Sequence, residues 1–222
     1  MATLTVPTTP AAPHQLSHHH ATRSPYLHMA RPHPAAGTTF QPSHRVVALV
    51  SWSRPPMGWC KLNFDGSVKR DGSGRATIGG VIRNSSGQAI LAYAERTEHA
   101  GVGVVEARAL MRGLELALAM GCTSLVVEGD DLTLVRLLRG ESRQTRIPAA
   151  MEDEIVQLLG CFRICEVQHV YREGNQVADA LCHEAYRCPG VWRTAERPLP
   201  LTVWAKVEGD RRGVVYKRLR PA

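Results

Sequence analysis

Four acids in this 222-residue chain break the pattern of the segments that carry them. Asp65 closes the alternating run Cys60-Lys61-Leu62-Asn63-Phe64 and is followed by Gly66 and Ser67. Alternation sets it on the face opposite Leu62 and Phe64. Glu106 stands four residues before Leu110, about 40° around a helix of about 3.6 residues per turn, so it borders the apolar stripe. Asp130 follows the apolar run "SLVVEG", at the end of a strand where open α/β sheets place their sites. Asp179 opens the segment "NQVADALCHEAYRC", with Asn175 one turn earlier on the same side. Each has a plain alternative: a turn residue, a first-turn acid on the helix dipole, half of a capping pair with Asp131, a solvated helix acid. If they converge, they cannot all stay ionised without cations, because like charges raise one another's pKa. An all-oxygen ligand set points to Mg²⁺ or Mn²⁺. Two such ions about 4 Å apart form the clamp used for in-line displacement at a phosphodiester.

The elements that must position these acids follow from periodicity. Trp59 opens a first strand after the extended approach of Pro55 and Pro56, and "GRATIGGVIRNS" and "QAILAYAERT" alternate around "NSSGQ" turn chemistry. Three antiparallel strands result. In "VVEARALMRGLELALAMG" the apolar residues fall on one helical face, and Gly121 stops the helix. "SLVVEGD" is a short central strand, parallel to the first through the helical crossover. "DDLTLVRLLRG" is a short helix with Asp131 available as its N-cap. Helix "AAMEDEIVQLLGCF", strand "ICEVQHVY" and helix "NQVADALCHEAYRC" complete the order β-β-β-α-β-α-α-β-α. The fold class is α/β, with a mixed five-stranded sheet of three antiparallel strands and two parallel additions, flanked by helices.

The net charge of +7 is unevenly spread. Met1 to Leu62 holds five basic residues and no acid, Arg187 to Ala222 nine basic against three acidic, and Asn63 to Tyr186 thirteen against seventeen. The basic character belongs to the flanks. Residues 1–50 are rich in Pro, Ala, Thr, Ser and His, with seven of the ten histidines, and are expected to be a disordered leader. Scattered arginines without acids also fit an organellar transit peptide. Residues 51–188 are the expected domain. Residues 189–222 form a basic extension, either an ungripped peptide or a small hairpin at Asp210 to Gly213. The six cysteines show no metal-ligand spacing and read as buried free thiols of a reducing compartment. No apolar run approaches the roughly 20 residues of a membrane span, so a soluble intracellular protein is expected. The residues specify no oligomeric state, and a monomer is assumed.

The motifs "KLNFDGS", "GGVIRNSSGQ", "VEARALMRGLELAL", "VVEGDDLTLV" and "HVYREGNQVADAL", in this order, resemble the RNase H type-1 family over about residues 52–188. The likeness is greatest to plant RNase H-like proteins related to the terminal domains of non-LTR retroelements. It implies hydrolysis of the RNA strand of RNA–DNA hybrids with two Mg²⁺ or Mn²⁺ ions. By position it implies Asp65, Glu106, Asp130 and Asp179 as metal ligands and catalytic groups. His169 takes the place of the histidine that assists proton movement or product release, and Asn175, Gly66 and Ser67 are substrate contacts. Two departures stand out. The family usually has a small residue after its third acid, whereas here Asp131 follows Asp130, so either could face inward. The segment from Asp130 to Asp179 leaves little room for the basic helix and loop that grip the hybrid, a task that then falls to the basic flanks. A retroelement-derived nucleic-acid-binding module with little catalysis is the alternative.

Overall fold

The strand Cys60–Val68 is buried on both faces from Lys61 to Gly66: Leu62 and Phe64 are sealed on one face by apolar side chains, while Asn63 and Asp65 turn to the other. The computed structural model describes residues 45–221, and side chains from 47 to 218. The expected leader disorder, transit peptide and histidine-rich tract lie outside the described residues up to 44. In chain order the elements are β1 (Arg45–Val50), β2 (Cys60–Val68), β3 (Ala76–Arg83), β4 (Ala89–Thr97), α1 (Val102–Ala119), β5 (Ser124–Gly129), α2 (Leu132–Leu138), α3 (Ala149–Gly160), β6 (Ile164–His169), a 3-10 turn (Arg172–Gly174), α4 (Gln176–Arg187), β7 (Gly190–Arg193), α5 (Leu201–Arg211) and β8 (Tyr216–Pro221).

The main sheet runs β6-β5-β2-β3-β4-β7. β2, β3 and β4 are antiparallel neighbours, and β5 and β6 add in parallel, as the sequence pattern predicts. A sixth strand joins them. β7 pairs antiparallel with β4 from Leu91/Arg193 to Ala94/Gly190 and covers an edge that would otherwise be open. Its four residues are too few for alternation to show, and only the burial of Trp192 marks it.

Each sheet face has its own apolar cluster. Leu62, Phe64, Ile82 and Tyr93 pack with Leu110 and Leu114 of α1 and Ile155 of α3. On the other face Val81, Ala92 and Trp192 pack with Val177 and Leu181 of α4 and with Val203 and Val207 of α5. Glycine sets the helix–sheet distance on the second face. A Cβ on Gly79 would stand 2.6 Å from the backbone nitrogen of Cys182 in α4. The β3–β4 ladder is irregular at Ile82/Arg83, away from Gly79.

Both flanks differ from expectation. Residues 45–50, counted with the leader, form β1, which pairs antiparallel with β8 in a separate two-stranded sheet. No hairpin forms at Asp210 to Gly213: Leu201–Arg211 is helical, and Gly213, at φ 76, turns the chain toward β8. Val203, Val207 and Asp210 share the buried face of α5, while Trp204 is half exposed. Charge also holds α5 down. Asp210 accepts from Arg83 Nη1 at 2.7 Å, both side chains being almost fully buried. Arg83 also donates to Asn63 Oδ1 at 2.7 Å and lies 3.6 Å over the Trp52 ring. Lys61 pairs with Glu128, and Asn63 donates to Glu128 Oε2 at 3.0 Å. A buried polar network thus ties the C-terminal flank to the centre of the sheet, and β1, β7, α5 and β8 lie outside the expected domain of 51–188. Among the described residues, no helix is long and apolar enough to cross a membrane.

Candidate active site

β2 and β5 run side by side only from Cys60/Leu125 to Asn63/Glu128. β5 then ends at Gly129, while β2 continues to Val68 with β3 alone for company. The sheet therefore opens a notch one strand wide at this point. Asp65 stands on β2 inside the notch, and Asp130 is the first residue off β5. α1 brings the third acid. A Cβ on Gly66 would lie 2.6 Å from the Glu106 nitrogen, so only glycine lets α1 cross β2 this closely. The Gly66 N–H donates to Glu106 Oε2 at 3.1 Å and fixes that carboxylate.

Carboxylate oxygens of Asp65, Glu106 and Asp130 lie within 4.8 Å of one another. Asp65 and Glu106 are buried, Asp130 less so. Their electrostatics match the crowding. Burial, then the charges of Asp130 and Asp179, push the Asp65 pKa up to about 7. Burial, then Asp65 and Asp130, hold Glu106 well above the usual carboxylate range, against the Gly66 N–H. Burial raises Asp130, opposed by Arg172 and Asn175. The donor set is all oxygen and its mutual repulsion is only partly relieved by one arginine, which fits hard divalent cations.

Asp130 is the inward acid, because Asp131 is occupied: its carboxylate accepts from Thr133 N at 2.8 Å and Leu134 N at 3.2 Å as the N-cap of α2. Asp179 lines the same cleft, of about 390 Å³, without joining the three-carboxylate group. Its carboxylate lies 3.4 Å from Arg172 Nη2 and 3.7 Å from His183 Nδ1. Ser67 and Arg70 also line this cleft.

Two expected site residues are placed differently. His169, the last residue of β6, packs its ring edge-on against Tyr171 at 5.2 Å and is not among the residues lining the cleft. His183 lines it instead. Its Nδ1 lies 2.8 Å from the Asp179 carbonyl oxygen, which can only accept, so Nδ1 carries the proton. Spacing could have found it, since i,i+4 on one helix puts His183 beside Asp179. Asn175 is not among the residues lining the cleft. It is buried, and its Nδ2 donates to the Phe64 carbonyl at 2.8 Å, tying the start of α4 to β2. Gly66 does line the cleft, although the side where a Cβ would stand is filled by α1. Arg172 escaped notice because a lone arginine in a loop carries no periodic signal.

The cysteines divide. Cys182 is buried, Cys60, Cys122 and Cys165 are half-buried, and Cys161 and Cys188 are exposed, contrary to a uniformly buried set. Cys161 caps the end of α3 and Cys165 lies in β6.

A family model described as reverse transcriptase-like matches residues 63–185. An Arabidopsis thaliana protein named "Putative ribonuclease H protein" is 27% identical over 146 residues, which are 64% of this chain and 23% of that protein. The chain thus spans about a quarter of its relative's length. Among solved structures, RNase H1 from the archaeon Halobacterium salinarum is 28% identical, with a TM-score of 0.53 over 57% of this chain and 96% of its own. The N-terminal RNase H domain of a Mycobacterium tuberculosis protein is 25% identical, with a TM-score of 0.52 over 57% and 91%. LC11-RNase H1 in complex with RNA/DNA hybrid shares the fold at 24% identity and a TM-score of 0.52, over 57% and 95%.

Proposed function

Because the chain belongs to the reverse transcriptase-like family and carries an RNase H-type domain, we propose that it is a metal-dependent endonuclease cutting the RNA strand of RNA–DNA hybrids. The observation that carries this reading is the convergence of Asp65, Glu106 and Asp130 in the notch where β5 stops and β2 continues. Asp65, Glu106 and Asp130 would hold two divalent ions, Mg²⁺ or Mn²⁺, with Asp179 at the cleft wall. Bound there, such ions acidify an attacking water and neutralise charge on the scissile phosphate.

The chain's own groups supply the rest. The Gly66 N–H holds the Glu106 carboxylate in place, and Asn175 anchors the turn that carries Arg172. Arg172, largely exposed, offers a cation to the phosphate backbone. Ser67 offers a hydroxyl to the RNA strand in the cleft. Proton movement falls to His183, whose Nε2 is the acceptor when the ring is neutral, while His169 is held against Tyr171. Hybrid would be selected by shape and by 2′-hydroxyls in a shallow minor groove, with little sequence preference. LC11-RNase H1, of the same fold, binds such a hybrid.

A second reading, a retroelement-derived binding module with weak catalysis, draws on one observation. Between Asp130 and Asp179 the helices are α2 and α3, and α3 carries Glu152, Asp153 and Glu154 where a basic grip would serve. The deciding experiment is cleavage of a labelled hybrid with Mg²⁺, Mn²⁺ or EDTA, with Asp65→Asn alongside. RNA-strand cutting that needs metal and is lost in a folded variant supports the nuclease. Hybrid binding by folded wild type without any cutting would favour the module.

A further inference from the structure

At the opposite end of β2 from the carboxylates, two sulfur atoms meet. Cys60 is the first residue of β2, and Cys122 lies in the short connection between α1 and β5. They are 62 positions apart in the chain, yet the Cys122 thiol donates to the Cys60 sulfur at 3.0 Å. Both are half-buried. Their approach is set by the fold: Cys60 pairs in register with Leu125 of β5, and the Cys122 N–H donates to Ala117 O at 3.0 Å, closing the end of α1. A structural metal does not explain the pair, because the one group of three or more metal-ligating side chains among the described residues is the carboxylate cluster.

We propose that Cys60 and Cys122 form an oxidisable dithiol that closes to a disulfide with a low-molecular-weight disulfide, of the oxidised-glutathione class, as oxidant. Hydrogen bonding from Cys122 brings the Cys60 thiol down to about pKa 7, while Cys122 is raised, so Cys60 is the attacking sulfur at neutral pH. Its thiolate attacks one sulfur of the reagent, forming a mixed disulfide and expelling one small thiolate. Cys122 then gives its proton to solvent and attacks the Cys60 sulfur, expelling the second. The two cysteines lose two electrons and two protons, and the reagent leaves as two thiols. Of the other cysteines, Cys161 donates to the Gln157 carbonyl, Cys182 donates to the Asp65 carbonyl, and burial pushes Cys165 up to about 11.

The closed loop would enclose β3, β4 and α1, and with them Asp65 and Glu106. A bridge across such a loop raises Tm by roughly 5–10 °C in a domain of this size. The full chain is incubated with oxidised glutathione, alkylated, digested without reduction and weighed, and its Tm is compared with that of the reduced form. The expected result is one Cys60–Cys122 linked peptide pair, lighter by two hydrogens, with the rise in Tm. Both are lost in Cys60→Ser and in Cys122→Ser, while Cys161 and Cys188 stay alkylatable or carry separate adducts. Recovery of Cys60 and Cys122 as alkylated thiols or as two separate glutathione adducts overturns the proposal. Neither readout depends on nuclease activity.

Discussion

Gly66 and Glu106 share one hydrogen bond and one close approach: the glycine N–H donates to the Glu106 carboxylate at 3.1 Å, while its missing Cβ leaves room for the Glu106 nitrogen. The same position therefore places the helix and aims its acid. Gly66→Ala would set a methyl 2.6 Å from that nitrogen and 2.7 Å from the Val105 carbonyl carbon. α1 must retreat from β2, at a cost of about 1–3 kcal/mol. Urea denaturation is expected to show that loss, and hybrid cleavage is expected to fall at least about tenfold because Glu106 moves with its helix. An alanine variant as stable as wild type would sink this account of the glycine.

Stability of the metal-free protein is expected to fall as pH rises. Asp65 is raised to about 7, and Glu106 and Asp130 shift the same way. In the unfolded chain such groups titrate near about 4, so between about pH 4 and about pH 7 the folded state binds more protons than the unfolded. The stability that comes from holding those protons is complete below about pH 4 and is lost as pH climbs through about 7. Denaturation in EDTA at about pH 5 and about pH 8 measures the slope, which Asp65→Asn should flatten. A wild type that gains stability across this interval contradicts the crowding of the three acids.

Divalent metal should reverse that loss. With Mg²⁺ at about 100 times its dissociation constant, a cation bound only by the folded chain adds about 2.7 kcal/mol. The gain is expected for wild type near neutral pH and is expected to be largely absent in Asp65→Asn. Thermal unfolding with and without Mg²⁺ reads it directly, and an equal rise in both proteins would place the ion elsewhere.

Arg83 should be among the most sensitive positions outside the cleft. It pairs with Asp210 in a buried setting and also bonds Asn63, so Arg83→Leu strands an acid under α5. Removing one member of a buried pair costs about 3–5 kcal/mol. Denaturant unfolding checks this. If Arg83→Leu together with Asp210→Leu recovers most of the loss, the stranded charge is the cause; no recovery would assign the damage to packing.

Asn175 is expected to act through position alone. Asn175→Ala removes the bond to the Phe64 carbonyl and leaves that buried acceptor unpaired, costing about 1–3 kcal/mol. The turn bearing Arg172 loosens. The cleavage rate should fall about tenfold with KM for hybrid little changed, whereas a direct substrate contact would move KM first.

Local pattern alone carried much of this protein. Alternation in β2 put Asp65 opposite Leu62 and Phe64, helical spacing placed α1 and α4 with their acids, and the apolar run of β5 led to Asp130. These features depend on a few neighbouring residues, so a short window holds them. What the window lacks is the distant partner. Tertiary structure decided that Asp131 caps α2 while Asp130 turns inward, and that Asn175 spends its amide on Phe64. It decided that His183, not His169, lines the cleft, and that Cys60 meets Cys122. It also buried Lys61, Arg83 and Glu128, charges that sequence reads as surface, because a charge can leave water once an opposite charge from a remote segment meets it. The basic tail depends on distant partners in the same way: Asp210 of α5 finds Arg83 only after the sheet has formed, and β8 needs β1 to pair with.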